Sequence, residues 1–85
     1  MSDIVMPSFS AGMESARVAR WTRRVGEQVA AGDVIAEVET DKATMEIEAP
    51  GDGALAEILW PAGRRAAPVG TRLAVFAAGE GPGAA

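Results

Sequence analysis

Lys42, the only lysine of the chain, lies between two runs of alternating apolar and polar residues, 34–39 and 43–49. Such alternation is typical of half-buried strands, and the polar centre between the runs has room only for a tight turn. The pattern therefore predicts a hairpin that reverses at Asp41 and Lys42. An amine held at the tip of a rigid hairpin could be recognised by a modifying enzyme and could carry a tethered prosthetic group.

The predicted register gives the hairpin one apolar face and one acidic face. The inner face contains Val34, Ala36, Val38, Met45, Ile47 and Ala49, and the outer face contains Glu37, Glu39, Thr44, Glu46 and Glu48. Glu37 is expected to lie opposite Glu46, and like charges across a ladder destabilise it by roughly a few tenths of a kcal/mol. Stability alone would not select this pair. Its presence favours the hypothesis that the hairpin presents Lys42 for modification over the hypothesis that Lys42 is an ordinary solubilising charge.

Other chemistries for these residues are weaker hypotheses. Glu37 and Glu46 could form an acid–base pair, but an exposed hairpin lacks the desolvation that separates two carboxyl pKa values. The acidic residues of the hairpin could bind a hard cation, but a flat ladder does not bring about six oxygens to one point. Trp21 and Trp60 could form a ligand platform, although strand aromatics are usually core or half-core residues. We therefore predict no catalytic residue and no metal ligand.

The composition excludes several classes of protein. Eighty-five residues suffice for one domain with a modest core, and the absence of cysteine and histidine removes disulfides, thiol nucleophiles and imidazole ligands. A net charge of −4 argues against a nucleic-acid partner, because phosphate backbones require clustered cations. Arg17, Arg20, Arg23 and Arg24 do cluster, and we interpret them as a solvated strand edge and turn.

No apolar run approaches the ~20 residues of a membrane span, and no signal peptide precedes the first predicted strand. We therefore expect a soluble, cytoplasmic protein. Short β-rich runs separated by glycine and proline predict an all-β fold with scarcely any helix. The predicted strands are residues 3–6, 16–21, 34–39, 43–49, 53–58 and 72–76, with shorter segments at 28–29 and 66–67. We predict a domain at 1–78, followed at 79–85 by the start of a flexible linker of Gly, Ala and Pro.

The two halves of the sequence are similar to each other. A shift of 37 residues aligns segment 18–21 with 55–58, and one further residue aligns 34–38 with 72–76. Each half is too small to bury its own apolar face, which predicts two packed sheets with quasi-twofold symmetry. Lys42 should then lie at one end and both termini at the other. The predicted core contains Val18, Val29, Val34, Val38, Ile47, Leu55, Ile58 and Leu73.

The chain resembles the lipoyl domains of 2-oxoacid dehydrogenase complexes, most clearly in residues 39–50, ETDKATMEIEAP. The similarity runs nearly the whole length of the chain. Its other positions are Met6-Pro7, Gly12-Met13-Glu14, Trp21, Gly32-Asp33-Val34-Ile35 and Pro68-Val69-Gly70-Thr71. Gly26 and Gly53 occupy glycine positions that lipoyl domains share with their biotinyl relatives.

The resemblance implies a flattened barrel or sandwich of two four-stranded antiparallel sheets, a barrel-sandwich hybrid, with lipoate amide-linked to Lys42. It also implies a set of residues for recognition and presentation of this lysine. They are Glu39, Asp41, Ala43, Gly26 and Gly53. The lipoyl arm would carry acyl groups and electrons between active sites, so the domain would be a non-catalytic carrier.

The implied partners are a thiamine-diphosphate-dependent decarboxylase, an acyltransferase core, dihydrolipoamide dehydrogenase, and a lipoate ligase or octanoyltransferase. Neither nucleic acid nor a membrane is implied, and we expect the isolated domain to be a monomer. The residues after Lys42 most resemble pyruvate- or acetoin-type dihydrolipoamide acyltransferases. A decarboxylase β-subunit with an N-terminal lipoyl domain is an alternative parent.

The chain departs from the family pattern at Ser15 and Ala16, where an acidic residue and a glycine are common. Residues 9–12 also differ from the usual leucine-rich first loop, which in the family lies beside the hairpin and helps the decarboxylase recognise the domain. These departures concern partner identity rather than lipoylation. The nearest alternative is a biotinyl carrier domain, which typically has methionine on both sides of its lysine, where this chain has Asp41 and Ala43. A plain β-sandwich interaction module is the alternative from another class.

Overall fold

The computed structural model describes residues 2–79, and this range contains eight strands and no helix. The strands are β1 (Ser2–Val5), β2 (Ser15–Trp21), β3 (Gln28–Val29), β4 (Val34–Glu39), β5 (Thr44–Glu48), β6 (Gly53–Ile58), β7 (Ala66–Pro68) and β8 (Arg72–Ala78). Every predicted strand is present, with ends that differ from the prediction by at most two residues. The described residues include no helix long and apolar enough to cross a membrane. The predicted linker lies outside the described residues, apart from Gly79.

The strands form two four-stranded sheets with the orders β1-β8-β6-β3 and β5-β4-β2-β7. All strand pairs within the sheets are antiparallel. Strands four places apart in the chain occupy the same position in the two sheets, so that β1 corresponds to β5, β8 to β4, β6 to β2 and β3 to β7. This correspondence confirms the internal repeat. No ladder joins the two sheets within residues 2–79, so the architecture is the sandwich of the prediction and not a closed barrel.

The quasi-twofold relation extends to backbone detail. The ladder between β2 and β4 is irregular just after Val18, and the ladder between β6 and β8 is irregular just after Leu55, its repeat counterpart. The amide of Gly26 donates to the carbonyl of Leu55 at 2.8 Å, and the amide of Gly63 donates to the carbonyl of Val18 at 3.0 Å. Counterpart residues thus bond each half to the other, as expected when neither half can bury its apolar face alone.

The core lies between the two sheets. Its buried members are Ile4, Met6, Ala16, Val18, Val29, Ile35, Ala36, Val38, Ile47, Ala49, Leu55, Ala67, Leu73, Ala74 and Phe76. This set confirms six of the eight predicted core residues. The other two, Val34 and Ile58, are only half-buried, and the prediction was wrong for them. Ile58 is the last residue of β6 and packs against the core from the end of that strand.

Val34 is displaced from the core by a bulge that the alternation does not show. Val34 pairs with Glu48 and Ala36 pairs with Ile47, so Ile35 is an extra residue on β4. The extra residue places both Ile35 and Ala36 in the core, each fully buried. A strict alternation of inner and outer side chains along β4 would place Ile35 on the outer side.

Replacement of Leu55 by alanine should lower the free energy of unfolding by about 2–5 kcal/mol, because it opens a cavity at a side chain that is 1% exposed. This is a large share of the roughly 5–15 kcal/mol available to a typical domain. Leu59→Ala is the matched control, since Leu59 is 38% exposed and the same atoms are removed. Urea titrations of both variants give the comparison. Equal losses in the two variants would contradict this assignment of the core.

The hairpin tip and the two ends of the described chain lie at opposite ends of the molecule. The amide of Gly79 donates to the carbonyl of Asp52 at 3.0 Å, in the turn that follows β5 at the base of the hairpin. β1 begins beside the end of β8, where Ser2 pairs with Phe76. Lys42 lies at the other end of β4 and β5, as predicted.

Candidate functional site

From the Ala36–Ile47 pair to the tip, β4 and β5 form the predicted hairpin in the predicted register, and Glu37 lies opposite Glu46. At the tip, the amide of Thr40 donates to the carbonyl of Ala43 at 2.9 Å, which leaves Asp41 and Lys42 as the two turn residues. No non-glycine residue of the described chain has a positive φ, whereas the usual two-residue hairpin turns require one. The tip therefore depends on other interactions to hold its shape.

The hydroxyl of Thr40 supplies these interactions. Its Oγ1 accepts hydrogen bonds from the amides of Lys42 at 3.2 Å and Ala43 at 3.0 Å, and it donates to the carbonyl of Ala43 at 2.9 Å. One donor and two acceptor positions are the full capacity of a hydroxyl. Sequence reasoning did not select Thr40, although a threonine just before a turn is a recognised signal for such side-chain to backbone bonds.

Lys42 is exposed at this tip. Within residues 2–79, no carboxylate lies within ion-pair distance of its Nζ. A shallow groove of about 300 Å³ opens beside the turn, between residues 10–15 on one side and Asp41 and Lys42 on the other. The first loop therefore lies next to the hairpin, as the family resemblance implied. The amine is accessible both to solvent and to an enzyme that also contacts this loop.

Arginines of β2 neutralise the outer face of β4. The guanidinium of Arg20 binds both carboxylate oxygens of Glu37, at 2.9 and 3.1 Å, and that of Arg17 binds Oε1 of Glu39 at 2.6 and 2.9 Å. β2 is an inner strand between β4 and β7, so the predicted edge position was wrong for these two arginines, although Arg20 is exposed to solvent as predicted. Arg20 also offsets the repulsion between Glu37 and Glu46. That opposition therefore needs no functional explanation. The feature that distinguishes Lys42 is the turn on which it lies.

The predicted recognition residues fall into two groups. Asp41 and Ala43 flank Lys42 and are exposed at the tip. Glu39 is the last residue of β4 and close to the tip in sequence, but its carboxylate is engaged by Arg17. The tip thus presents one carboxylate, one amine and one methyl group in a row.

Gly26 and Gly53 are not brought together with Lys42. Gly53 begins β6 in the other sheet, and Gly26 follows β2 and bonds to β6. Gly26 has φ +88°, a conformation that favours glycine. A methyl group at Gly53 would overlap the carbonyl oxygen of Ala77. Both glycines therefore serve the packing of the sandwich and not the turn that bears Lys42.

The rival chemistries of the hairpin find no support in the geometry. Residues 2–79 contain no group of three or more acidic side chains placed to hold a metal ion. Trp21 and Trp60 are half-buried and pack against the core, as predicted for strand aromatics. The indole of Trp21 donates to the carbonyl of Trp60 at 3.0 Å, and the Arg65 guanidinium lies 4.4 Å from the ring centroid of Trp60. These contacts thus stabilise the fold, and both tryptophans are remote from the turn in sequence.

Known proteins are similar to this chain in sequence and in fold. Residues 2–76 match the biotin/lipoyl family model described as "Biotin-requiring enzyme". The dihydrolipoyllysine-residue acetyltransferase component of the pyruvate dehydrogenase complex from Rhizobium meliloti is 49% identical over 76 residues, which are 89% of this chain and 17% of that protein. The pyruvate dehydrogenase E1 component subunit beta of the same organism is 45% identical over 74 residues, 87% of this chain and 16% of that protein.

A solved structure agrees with the architecture. The solution structure of the lipoyl domain of the 2-oxoglutarate dehydrogenase complex from Azotobacter vinelandii matches with a TM-score of 0.74 and 34% identity, and the match covers 95% of this chain and 99% of that chain. The chain spans about 17% of the length of the curated relatives it matches. Because the family model covers residues 2–76 of the 85, the chain belongs to the biotin/lipoyl domain family.

Proposed function

We propose that this domain is a lipoyl carrier, with lipoate joined by an amide bond to Nζ of Lys42. The parent protein in this proposal is a dihydrolipoamide acyltransferase of a pyruvate dehydrogenase-type complex. The observation that carries the proposal is an exposed lysine, the only one in the chain, on a two-residue turn whose backbone is fixed by side-chain hydrogen bonds.

The turn fits an amide-linked group chemically. Formation of the amide requires Nζ to lose a proton and to attack an activated acyl carbon, and both steps need an amine without a competing ion pair. Lys42 meets this condition within the described residues. The modifying enzyme must supply the base that takes the proton from Nζ.

The residues flanking Lys42 support lipoate over biotin. Biotinyl domains typically have methionine on each side of the modified lysine, whereas the structure presents the carboxylate of Asp41 and the methyl group of Ala43. The named relatives from the pyruvate dehydrogenase complex and the lipoyl-domain structure support the same choice. A biotinyl carrier, which the family also includes, remains the competing function.

In this proposal the chain itself binds no substrate and holds no catalytic group. Its hairpin holds the modified amine away from the sandwich. Ser2 and Gly79, the ends of the described residues, lie at the opposite pole, where a tether would not obstruct the arm. Tethering raises the effective concentration of the arm at successive active sites without any new contact. When attached, lipoate supplies the redox sulfurs that a cysteine-free chain lacks.

The partners in this proposal are those of the acyl-transfer cycle. A thiamine-diphosphate-dependent decarboxylase would load the arm, an acyltransferase core would unload it, and dihydrolipoamide dehydrogenase would reoxidise it. A lipoate ligase or an octanoyltransferase would modify Lys42 beforehand. The groove between the first loop and the turn is the surface through which the decarboxylase would distinguish this domain from others.

Separate reactions with a lipoate ligase and a biotin ligase test the proposed function. Each ligase is incubated with the purified domain, ATP and its own acid, and a reaction without enzyme controls for spontaneous acylation. Intact-mass spectrometry should show one lipoyl group per chain and no biotin, because the flanking residues are those of the lipoyl pattern. Biotinylation without lipoylation would establish the competing function, and no modification by either ligase would contradict both.

A further inference from the structure

We infer that Thr40 is a positioning residue for the modification of Lys42, acting through the backbone of the turn. The inference rests on the proposed lipoylation of Lys42 and adds a specific determinant to it. Neither the alternation pattern nor the residues flanking the lysine identifies Thr40. The observation behind it is the set of three hydrogen bonds made by one hydroxyl at the tip.

Two of the three bonds fix the two peptide units that bracket the Lys42 side chain, and the third reaches the carbonyl of Ala43 in the next peptide unit. The amide of Lys42 itself points at Oγ1 of Thr40, and so does the amide of Ala43, on the other side of the lysine Cα. The backbone bond from Thr40 to Ala43 closes the same loop. The direction in which the Lys42 side chain leaves the hairpin is therefore set by one hydroxyl.

The need for this hydroxyl follows from the turn type. A hairpin with glycine or asparagine at its tip can adopt a primed turn, which matches the strand twist. Asp41 and Lys42 have negative φ angles, so this turn is not a primed turn and its twist does not match that of the strands. The γ-methyl group of Thr40 contributes as well, because β-branched side chains have few χ1 rotamers and the hydroxyl is held in place.

The loss of the hydroxyl should act mainly on recognition of the domain. When a protein populates its binding-competent shape only part of the time, the apparent affinity falls by that fraction, whereas a saturating concentration restores full occupancy. A modifying enzyme that reads the hairpin would thus show a raised KM for the domain and a nearly unchanged kcat. A residue that merely stabilised the fold would leave both parameters unchanged while the domain stays folded.

The test measures lipoylation kinetics of Thr40→Val, Thr40→Ser and Thr22→Val with a lipoate ligase. Valine keeps the shape of threonine without the hydroxyl, and serine restores the hydroxyl. Thr22 is the matched control, because it is also half-buried and its hydroxyl donates to a backbone carbonyl, that of Val34, at 2.7 Å, at the base of the hairpin. All assays are run well below the melting temperature of each variant.

We expect Thr40→Val to raise KM about five- to tenfold, with Thr40→Ser and Thr22→Val within about twofold of the parent. Amide hydrogen exchange of Lys42 and Ala43 should accelerate in Thr40→Val alone. A parent-like KM for Thr40→Val, or an equal rise in Thr22→Val, would overturn the inference while the parent is still modified. If the parent itself is not modified, the proposed function fails and this inference fails with it.

Discussion

Replacement of Lys42 by arginine is expected to abolish lipoylation and to leave stability within about half a kcal/mol of the parent. Lys42 is the only lysine, so the variant has no other ε-amine, and a guanidinium does not act as the acyl acceptor in its place. The stability should persist because the side chain is exposed and makes no ion pair among the described residues. Intact-mass spectrometry and thermal unfolding measure the two effects.

The combination of results distinguishes a functional lysine from a structural one. A loss of modification together with a lower melting temperature would mean that Lys42 supports the fold, contrary to its exposed position. Persistent lipoylation of Lys42→Arg would place the attachment on the N-terminal amine, and the hairpin would then have no role in it.

Moving the lysine by one position, with Asp41→Lys and Lys42→Ala together, should reduce the initial rate of lipoylation about a hundredfold or more. Adjacent Cα atoms are about 3.8 Å apart, and neighbouring side chains of a tight turn point in different directions. The amine is therefore displaced by several times the roughly 1 Å that can cost a hundredfold in rate. The bonds from Thr40 involve only the backbone of residues 42 and 43, so the turn itself should survive.

A second relocated lysine controls for simple exposure. Arg64→Lys in the Lys42→Arg background places an exposed lysine in the loop between β6 and β7, far from the turn in sequence. This variant should not be lipoylated. Rates close to that of the parent for either relocated lysine, at matched circular dichroism spectra, would mean that the modifying enzyme accepts any exposed amine.

The hairpin and the internal repeat were predictable because both depend on local periodicity. Alternation in β4 and β5 sets which residues face each other, and it correctly placed Glu37 opposite Glu46. The repeat correctly predicted two similar sheets, since each half carries the same order of strands and turn glycines. The bulge at Ile35 was not predictable in this way, because residues 34–36 are all apolar and give no alternation that would show on which face each lies.

The electrostatics of the hairpin could not be predicted from the sequence alone. Arg20 offsets the charge of Glu37 only because β2 is the neighbour of β4, and strand order is a property of the whole sandwich. The interpretation of Arg17 and Arg20 as edge residues failed for the same reason. The structural roles of Gly26 and Gly53 also depend on how the two halves pack, because both residues contact the sheet that does not contain the hairpin.

Thr40 illustrates a different limit of sequence reasoning. A threonine before a turn is a common signal, yet the partners of its hydroxyl depend on the φ and ψ angles of the two residues that follow. Those angles are fixed only when β4 and β5 pair. The lysine could therefore be proposed from the sequence, whereas the hydrogen bonds from Thr40 to its backbone required the structure.

Peptide mass mapping of the parent domain shows whether Lys42 carries the lipoyl group. The domain is treated with a lipoate ligase and digested, and each modified peptide is fragmented to locate the added mass. We expect one modified peptide, with the lipoyl group on Lys42 and none on the N-terminal amine. An unmodified Lys42 in a folded, ligase-treated domain would contradict this expectation.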